Sequence, residues 1–324
     1  MNILVVGGAG YLGGAVTDLF LSSKHNVLVY DFLLYEETYR KQLPFVYGDI
    51  RDREKLKKYL AWADVVIWLA ALVGDPACLL NETLTRQINT ESVQYIRENF
   101  NGRIIFTSTC SVYGAAEEEL NEKSRLNPLS VYAKTKLLSE KILIDSNALI
   151  FRLGTLYGVG DEFSRIRFDL VVNTLVMRAA VHKKISIFGG QQYRPLLHVR
   201  DAASMIYKCI ETKNNGIYNL HSDNFTIVDI AQRIKKYFSG LHIDTSDEMF
   251  QDKRNYRVSS QKAMVELDFK PKFTLEDGIL EIKKLLEEGR VKNAFLTRFS
   301  NYLYLKPLFS EYESPLGKIA KFNL

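Results

Sequence analysis

The sequence predicts an α/β fold, a doubly wound parallel sheet followed by a smaller C-terminal cap. Two observations carry that prediction. Up to about residue 150, short apolar runs rich in Val and Ile alternate with longer stretches of helical periodicity. This is the pattern of strands buried on both faces, with crossover helices between them. The first run, Asn2–Val6, also opens directly into glycines at 7, 10 and 13 and then a helical stretch. A strand, a glycine turn and a helix in that order form the start of a βαβ unit.

The expected strands are Ile3–Val6, Val27–Tyr30, Phe45–Tyr47, Val65–Leu69, Ile104–Thr107 and Leu149–Phe151. Each is a short apolar run built around β-branched or aromatic residues. The intervening helices are expected at about 11–23, 52–60, 81–99 and 130–145. Beyond residue 153 loops around Gly154–Asp161 and Gly189–Pro195 interleave with helices near 168–182, 201–211, 226–238 and 275–288. The chain thus divides into 1–152, to which later segments return, a cap over 153–290, and an extension over 291–324. That extension is aromatic and basic, and is expected to pack against the cap or a second subunit.

Composition excludes several classes. The 324 residues are 47% hydrophobic and 25% charged, with a net charge of +5. These are the proportions of an ordinary soluble protein, and no dense Lys/Arg block is present to track a nucleic-acid backbone. Cys78, Cys110 and Cys209 are widely spaced, so neither a disulfide framework nor a metal site is expected. The longest apolar run, Val65 to Gly74, is too short to span a bilayer, and the N-terminus is already a strand. The expectation is a cytoplasmic protein without membrane or nucleic-acid partners.

The opening is the context that a Rossmann fingerprint requires. Gly7 permits the tight turn, Gly10 lets the backbone approach a pyrophosphate, and Gly13 lets the helix pack on the sheet. Asp31, eighteen residues after Gly13, ends the second strand, where a carboxylate accepts hydrogen bonds from both ribose hydroxyls. Its charge repels a 2′-phosphate, so NAD is expected over NADP. Asp49 and Ile50, after the third strand, offer an acceptor and an apolar wall to the adenine.

Tyr132 and Lys136 stand four residues apart in the helix expected at 130–145, and so share one face. A phenol beside an ammonium group is an acid/base suited to an alcohol or ketone, because the cation favours the phenolate. Thr109, at the end of the strand before the loop, carries a hydroxyl that can bond the reacting oxygen.

Further markers follow in order: Asp49-Ile50-Arg51-Asp52, Leu69-Ala70-Ala71, Ser108-Thr109-Cys110-Ser111-Val112-Tyr113-Gly114, Tyr132-Ala-Lys-Thr-Lys136, Phe151-Arg152-Leu153, and Arg194-Pro-Leu-Leu-His198-Val-Arg-Asp201. With the glycine pattern, they make residues 1–285 resemble the extended short-chain dehydrogenase/reductases, the NAD-dependent epimerase/dehydratase family of nucleotide-sugar enzymes. The resemblance implies that Tyr11, Leu12, Leu69, Ala70 and Ala71 join the NAD site, with Thr109, Tyr132 and Lys136 as catalytic residues. It implies a nucleotide-diphospho-sugar substrate, oxidised at C4. It also implies a homodimer through the helices near 81–99 and 130–145. Arg194 and Arg254 are the candidates to meet the substrate's phosphates, since an arginine fork is bidentate. Asn173 matches a position used beside the pyrophosphate, Arg165 and Arg167 lie just before its helix, and Thr155 stands where the family commonly has a substrate-contacting Asn.

The chain departs from the 4,6-dehydratase pattern. Where those members carry an Asp-Glu pair after the catalytic Thr, this chain has Cys110-Ser111. Neither side chain replaces a carboxylic acid as acid and base, so dehydration is disfavoured. A 4-dehydrogenase, a 4-epimerase and a 4-keto-sugar reductase remain open. The segment Leu69–Cys78 is unusual for the family; Gly74 and Pro76 shape a turn from which Asp75 or Cys78 could reach the sugar.

Overall fold

The structure, a computed structural model, describes residues 1–246 and 254–310. Its first half runs β1 (Asn2–Val6), α1 (Tyr11–Phe20), β2 (Asn26–Asp31), β3 (Phe45–Tyr47), α2 (Arg53–Trp62), β4 (Val65–Trp68), α3 (Asp75–Leu79), α4 (Glu82–Arg86), α5 (Ser92–Asn99), β5 (Arg103–Thr109), β6 (Ala115–Leu120), α6 (Val131–Leu143) and β7 (Ala148–Leu153). The second half runs β8 (Thr155–Tyr157), α7 (Val171–His182), β9 (Lys184–Phe188), β10 (Tyr193–His198), α8 (Val199–Lys208), β11 (Gly216–Leu220), β12 (Asp223–Thr226), α9 (Ile227–Lys235), β13 (His242–Ser246), β14 (Asn255–Val258), α10 (Gln261–Glu266), α11 (Leu275–Glu287) and α12 (Asn301–Ser310).

Seven strands form one parallel sheet in the order β11-β7-β5-β4-β1-β2-β3. The apolar runs of the sequence are explained by burial on both faces. Within β1, Ile3 and Val5 face one core cluster and Leu4 and Val6 the other, and all four are fully buried. Chain order reverses between β1 and β4, and the crevice beyond the carboxyl ends of such strands is where this architecture binds ligands. β11 returns from the second half to pair with β7, as expected of later segments.

A second core gathers α7, α9 and α11 around Val172, Val176, Ile185, Ile230, Ile279 and Ile282. Both α9 and α11 open with reciprocal capping boxes, Thr226 with Asp229 and Thr274 with Asp277. These two helices begin within a residue of their expected starts.

Three features differ from expectation. The helix expected at 81–99 is interrupted by a π-turn over Gln87–Glu91. The run after β4 contains a short helix, α3, which Gly74 at φ +102 and Pro76 initiate. The extension forms α12, which packs on both halves, against the loops after β2 and β4 as well as the cap. Residues 311–324 lie outside the described residues. Among the described residues, no helix is long and apolar enough to cross a membrane.

Candidate active site

The turn after β1 tolerates only glycine at two of its positions. Gly7 has φ +88, and a Cβ there would lie 2.6 Å from the backbone nitrogen of Ala70. A Cβ on Gly13 would lie 2.2 Å from the carbonyl oxygen of Gly7. The turn therefore packs directly on the Leu69-Ala70-Ala71 segment leaving β4, and α1 packs on the turn. Gly10 caps α1 and is exposed, so backbone N–H groups at the helix N-terminus stay open to an anion. Asp31 ties this turn to β2: its Oδ2 accepts from Ala9 N–H at 2.9 Å and its Oδ1 from Leu33 N–H at 2.7 Å. Burial raises its pKa, and those backbone bonds oppose the rise. Each oxygen keeps a lone pair for a ribose hydroxyl. This cradle fits an NAD.

Two neighbours behave differently from expectation. Tyr11 faces away from the turn, donating from its hydroxyl to Gly158 O at 2.6 Å, while Leu12 is half-buried beside the core. Both oxygens of Asp49 are engaged by the Arg51 side chain, so the carboxylate is held by a neighbour rather than left free for adenine. Ile50 is buried beside it.

Thr109 and Tyr132 meet at the carboxyl end of β5. The Thr109 hydroxyl lies beside the Tyr132 phenol and favours its ionised form, and it accepts from Ser111 N–H at 3.1 Å. Helix α6 is aimed by its cap: Ser130 accepts from Ala133 N–H at 3.2 Å and donates to Asp75 Oδ1 at 2.6 Å. It is anchored below by Glu140, fully buried, which takes Ser108 Oγ at 2.5 Å and a fork from Arg152 with Nη2 at 2.7 Å. The Phe151-Arg152-Leu153 marker is thus the anchor of α6.

The expected activation of Tyr132 by Lys136 needs correction. Lys136 Nζ lies 4.2 Å from the centroid of the Phe106 ring, and burial lowers its pKa to about 7 against the pull of Glu140. Burial raises the Tyr132 phenol; Cys78 and Asp75 push the same way, and Arg167 and the Thr109 hydroxyl pull it down. Arg167, which comes from the cap, is a second cation that favours the Tyr132 phenolate. The helical spacing was sound, but a buried ammonium group packs against the nearest ring face when one is available.

Asn89, which the sequence reading missed, fixes the loop after β4. Within the π-turn its Oδ1 accepts from Leu72 N–H at 2.8 Å and its Nδ2 donates to Leu72 O at 2.9 Å. Ser139 of α6 donates to its backbone carbonyl at 2.6 Å. Residues 81–99 are mostly polar, so nothing in the sequence set Asn89 apart; its place in a π-turn does, since π-turns concentrate at functional sites. The same loop carries Cys78, fully buried, whose thiol donates to Leu72 O at 3.3 Å and is pushed up to about 12 by burial. Asp75 bonds Ser130 and pairs with Arg254 at 3.2 Å.

The expected sugar-binding residues divide. Arg254 reaches Asp75, within the shell of Tyr132, and Arg194 is buried with its guanidinium at 2.8 Å from Tyr193 O. Arg165 and Arg167 are both buried. Arg167 forks onto Asp169 at 2.9 and 3.1 Å, and Arg165 stacks on Tyr35 at 3.8 Å. Asn173 corrects the expectation: it is fully buried, accepting from Gly158 N–H at 3.0 Å and donating to Arg167 O at 3.0 Å. Its amide holds the cap loop instead of facing a ligand. Thr155 sits on β8, paired with Leu196 of β10.

No carboxylate stands at positions 110 and 111. The Cys110 thiol is fully buried, donates to Arg152 O at 3.2 Å and has its pKa raised by burial. Ser111 Oγ lies 3.3 Å from Tyr256 OH.

The model of the NAD dependent epimerase/dehydratase family matches residues 3–220. A protein of Bacillus subtilis (strain 168), named an uncharacterized UDP-glucose epimerase, is 28% identical over 311 residues, spanning 86% of this chain and 96% of that protein. UDP-glucuronic acid 4-epimerase from Bacillus cereus, solved with UDP-glucuronic acid and NAD, superposes with a TM-score of 0.76 at 25% identity, over 89% of this chain and 99% of that one. The UDP-glucose 4-epimerase of Thermotoga maritima, solved with UDP-glucose, gives 0.79 at 22% identity, over 90% of this chain and all of its own.

Proposed function

The chain belongs to the NAD dependent epimerase/dehydratase family, and from that premise we propose that it is a nucleotide-diphospho-sugar 4-epimerase. The cofactor is NAD, which when bound accepts a hydride from the sugar carbon and returns it. We read 1–152 with β11 as the cofactor half and 153–290 as the cap that takes the nucleotide sugar.

One observation carries the reading. Tyr132, in the first turn of α6, lies beside Thr109 at the carboxyl end of β5, while positions 110 and 111 hold no acid/base pair. In this reading Tyr132 takes the proton from the C4 hydroxyl and gives it back after the sugar has turned, with Thr109 orienting the oxygen. The Tyr132 phenol starts high, so a cation must stabilise its ionised form. Arg167 supplies one, and Lys136 would supply a second if it held the cofactor's ribose. A substrate pyrophosphate would draw Arg254 from Asp75, exchanging a half-exposed ion pair for a bidentate phosphate contact. Two 4-epimerases among the similar solved structures, and the UDP-glucose epimerase name of the Bacillus subtilis protein, support this reading.

The test is to incubate the NAD-loaded protein with UDP-glucose, UDP-glucuronic acid and their GDP and dTDP counterparts, and to analyse the products by mass and NMR. Unchanged mass with inverted C4 is the expected outcome. Loss of two hydrogens would make the enzyme a 4-dehydrogenase, and loss of water would refute the argument from Cys110 and Ser111.

A further inference from the structure

Residues 297–305 join the loop after β2, the loop after β4 and the cap loop before α7, and they lie well past residue 220, where the family match ends. Arg298 pairs with Glu36, beyond β2, at 3.0 Å. Phe168 N–H in the cap loop donates to Phe299 O at 2.9 Å, and the two rings stand 5.4 Å apart. Leu305 is fully buried in the cluster formed by Leu72, Ala77, Cys78 and Leu84, against which Tyr132 also packs. Tyr304 meets Tyr35 at 5.2 Å.

Asn301 is the centre of this bridge. It is 3% exposed, and its polar groups are engaged by three different partners. Its backbone N–H donates to Asp169 Oδ2 at 2.8 Å, its Oδ1 accepts from Arg165, and its Nδ2 donates to Val73 O at 2.7 Å. Asp169 is the carboxylate that clamps Arg167, and Val73 is two residues from Asp75. The Arg167 and Asp75 segments that act on Tyr132 are therefore both tied to Asn301.

We propose that Asn301 is a positioning residue of the redox centre, holding the Arg167 wall and the Asp75 wall around Tyr132, and that residues 297–305 retain the cofactor beneath them. The inference rests on the NAD-dependent reading above. The groups that act on Tyr132 are Asp75 and Cys78 from α3, Thr109 from β5 and Arg167 from the cap loop; Lys136 lies one turn along the same helix over the Phe106 ring, and Arg254 reaches Tyr132 through Asp75.

The experiment loads the full-length enzyme with NADH, adds excess NAD and follows release by nicotinamide fluorescence. Asn301→Leu removes both side-chain bonds, and Arg298→Gln releases the half-exposed end of the bridge while leaving the buried core intact. Each is expected to speed release by about tenfold or more, with exposed Val265→Ala on α10 as the unaffected control. A second readout is the pH profile of turnover in Asn301→Asp. The added carboxylate weakens the positive field on Tyr132, so the limb that reports the phenol moves to higher pH, which a merely structural role would not produce. Wild-type release in a folded Asn301→Leu or Arg298→Gln overturns the proposal, as does an unmoved limb in Asn301→Asp. If no nucleotide sugar turns over, the functional reading fails while the release experiment still decides this one.

Discussion

The cofactor end and the sugar end of the crevice are built from different materials. At the cofactor end the shape is made by backbone: two glycines where a Cβ would strike main-chain atoms, and an aspartate already fixed by two N–H groups. At the sugar end it is made by charged side chains that hold one another, Arg254 on Asp75, Arg167 on Asp169 and Arg165 on Asn301. A backbone site is preorganised and binds without rearrangement. A side-chain site holds its cations in internal pairs, which have to exchange partners when an anion enters.

Substitutions at the two ends should therefore fail in different ways. Gly13→Ala places a methyl group 2.2 Å from a carbonyl oxygen, and the turn has no flexible atom to move aside. NAD binding is expected to fall by about 100-fold or more, measured by titration calorimetry, since even ordinary overpacking costs about 1–3 kcal/mol. Near-normal affinity would show that the cofactor end is also adaptable. Arg152→Met strips the partner from buried Glu140 under α6; a loss of about 3–5 kcal/mol in denaturant unfolding is expected. Arg254→Ala should raise the KM for the nucleotide sugar by about 10-fold or more while leaving NAD affinity unchanged. An effect on NAD instead would place Arg254 at the wrong end.

The smallest effect concerns Lys136. Its pKa falls from an ordinary 10.5 to about 7 on folding, so between those values the unfolded chain binds more protons and stability rises with pH. Melting temperature in Lys136→Met should lose that upward slope across about pH 7 to 10, relative to the wild type. An unchanged slope would mean the ammonium group is charged in the folded protein.

The same division explains what was legible in the sequence. The parallel sheet and the Gly7–Gly13 turn could be read because burial and backbone conformation restrict which residues each position allows. Asp31 could be read from its fixed distance along the chain. Arg167 as a cation acting on Tyr132, and Asn173 as a structural amide, could not, because each depends on which side chain a neighbouring loop presents. Asn301 lay further out of reach still, in a segment whose aromatic composition suggested only packing.

The most direct test of the central claim, that Tyr132 deprotonates a sugar carbinol while the nicotinamide accepts its hydride, is a single-turnover mixing experiment. NAD-loaded wild type and NAD-loaded Tyr132→Phe are mixed with the nucleotide sugar that the panel identifies, and the near-UV absorbance of reduced nicotinamide is followed. The wild type should develop that absorbance transiently and Tyr132→Phe should not, despite equal NAD occupancy. Reduction at the wild-type rate in Tyr132→Phe would contradict the account.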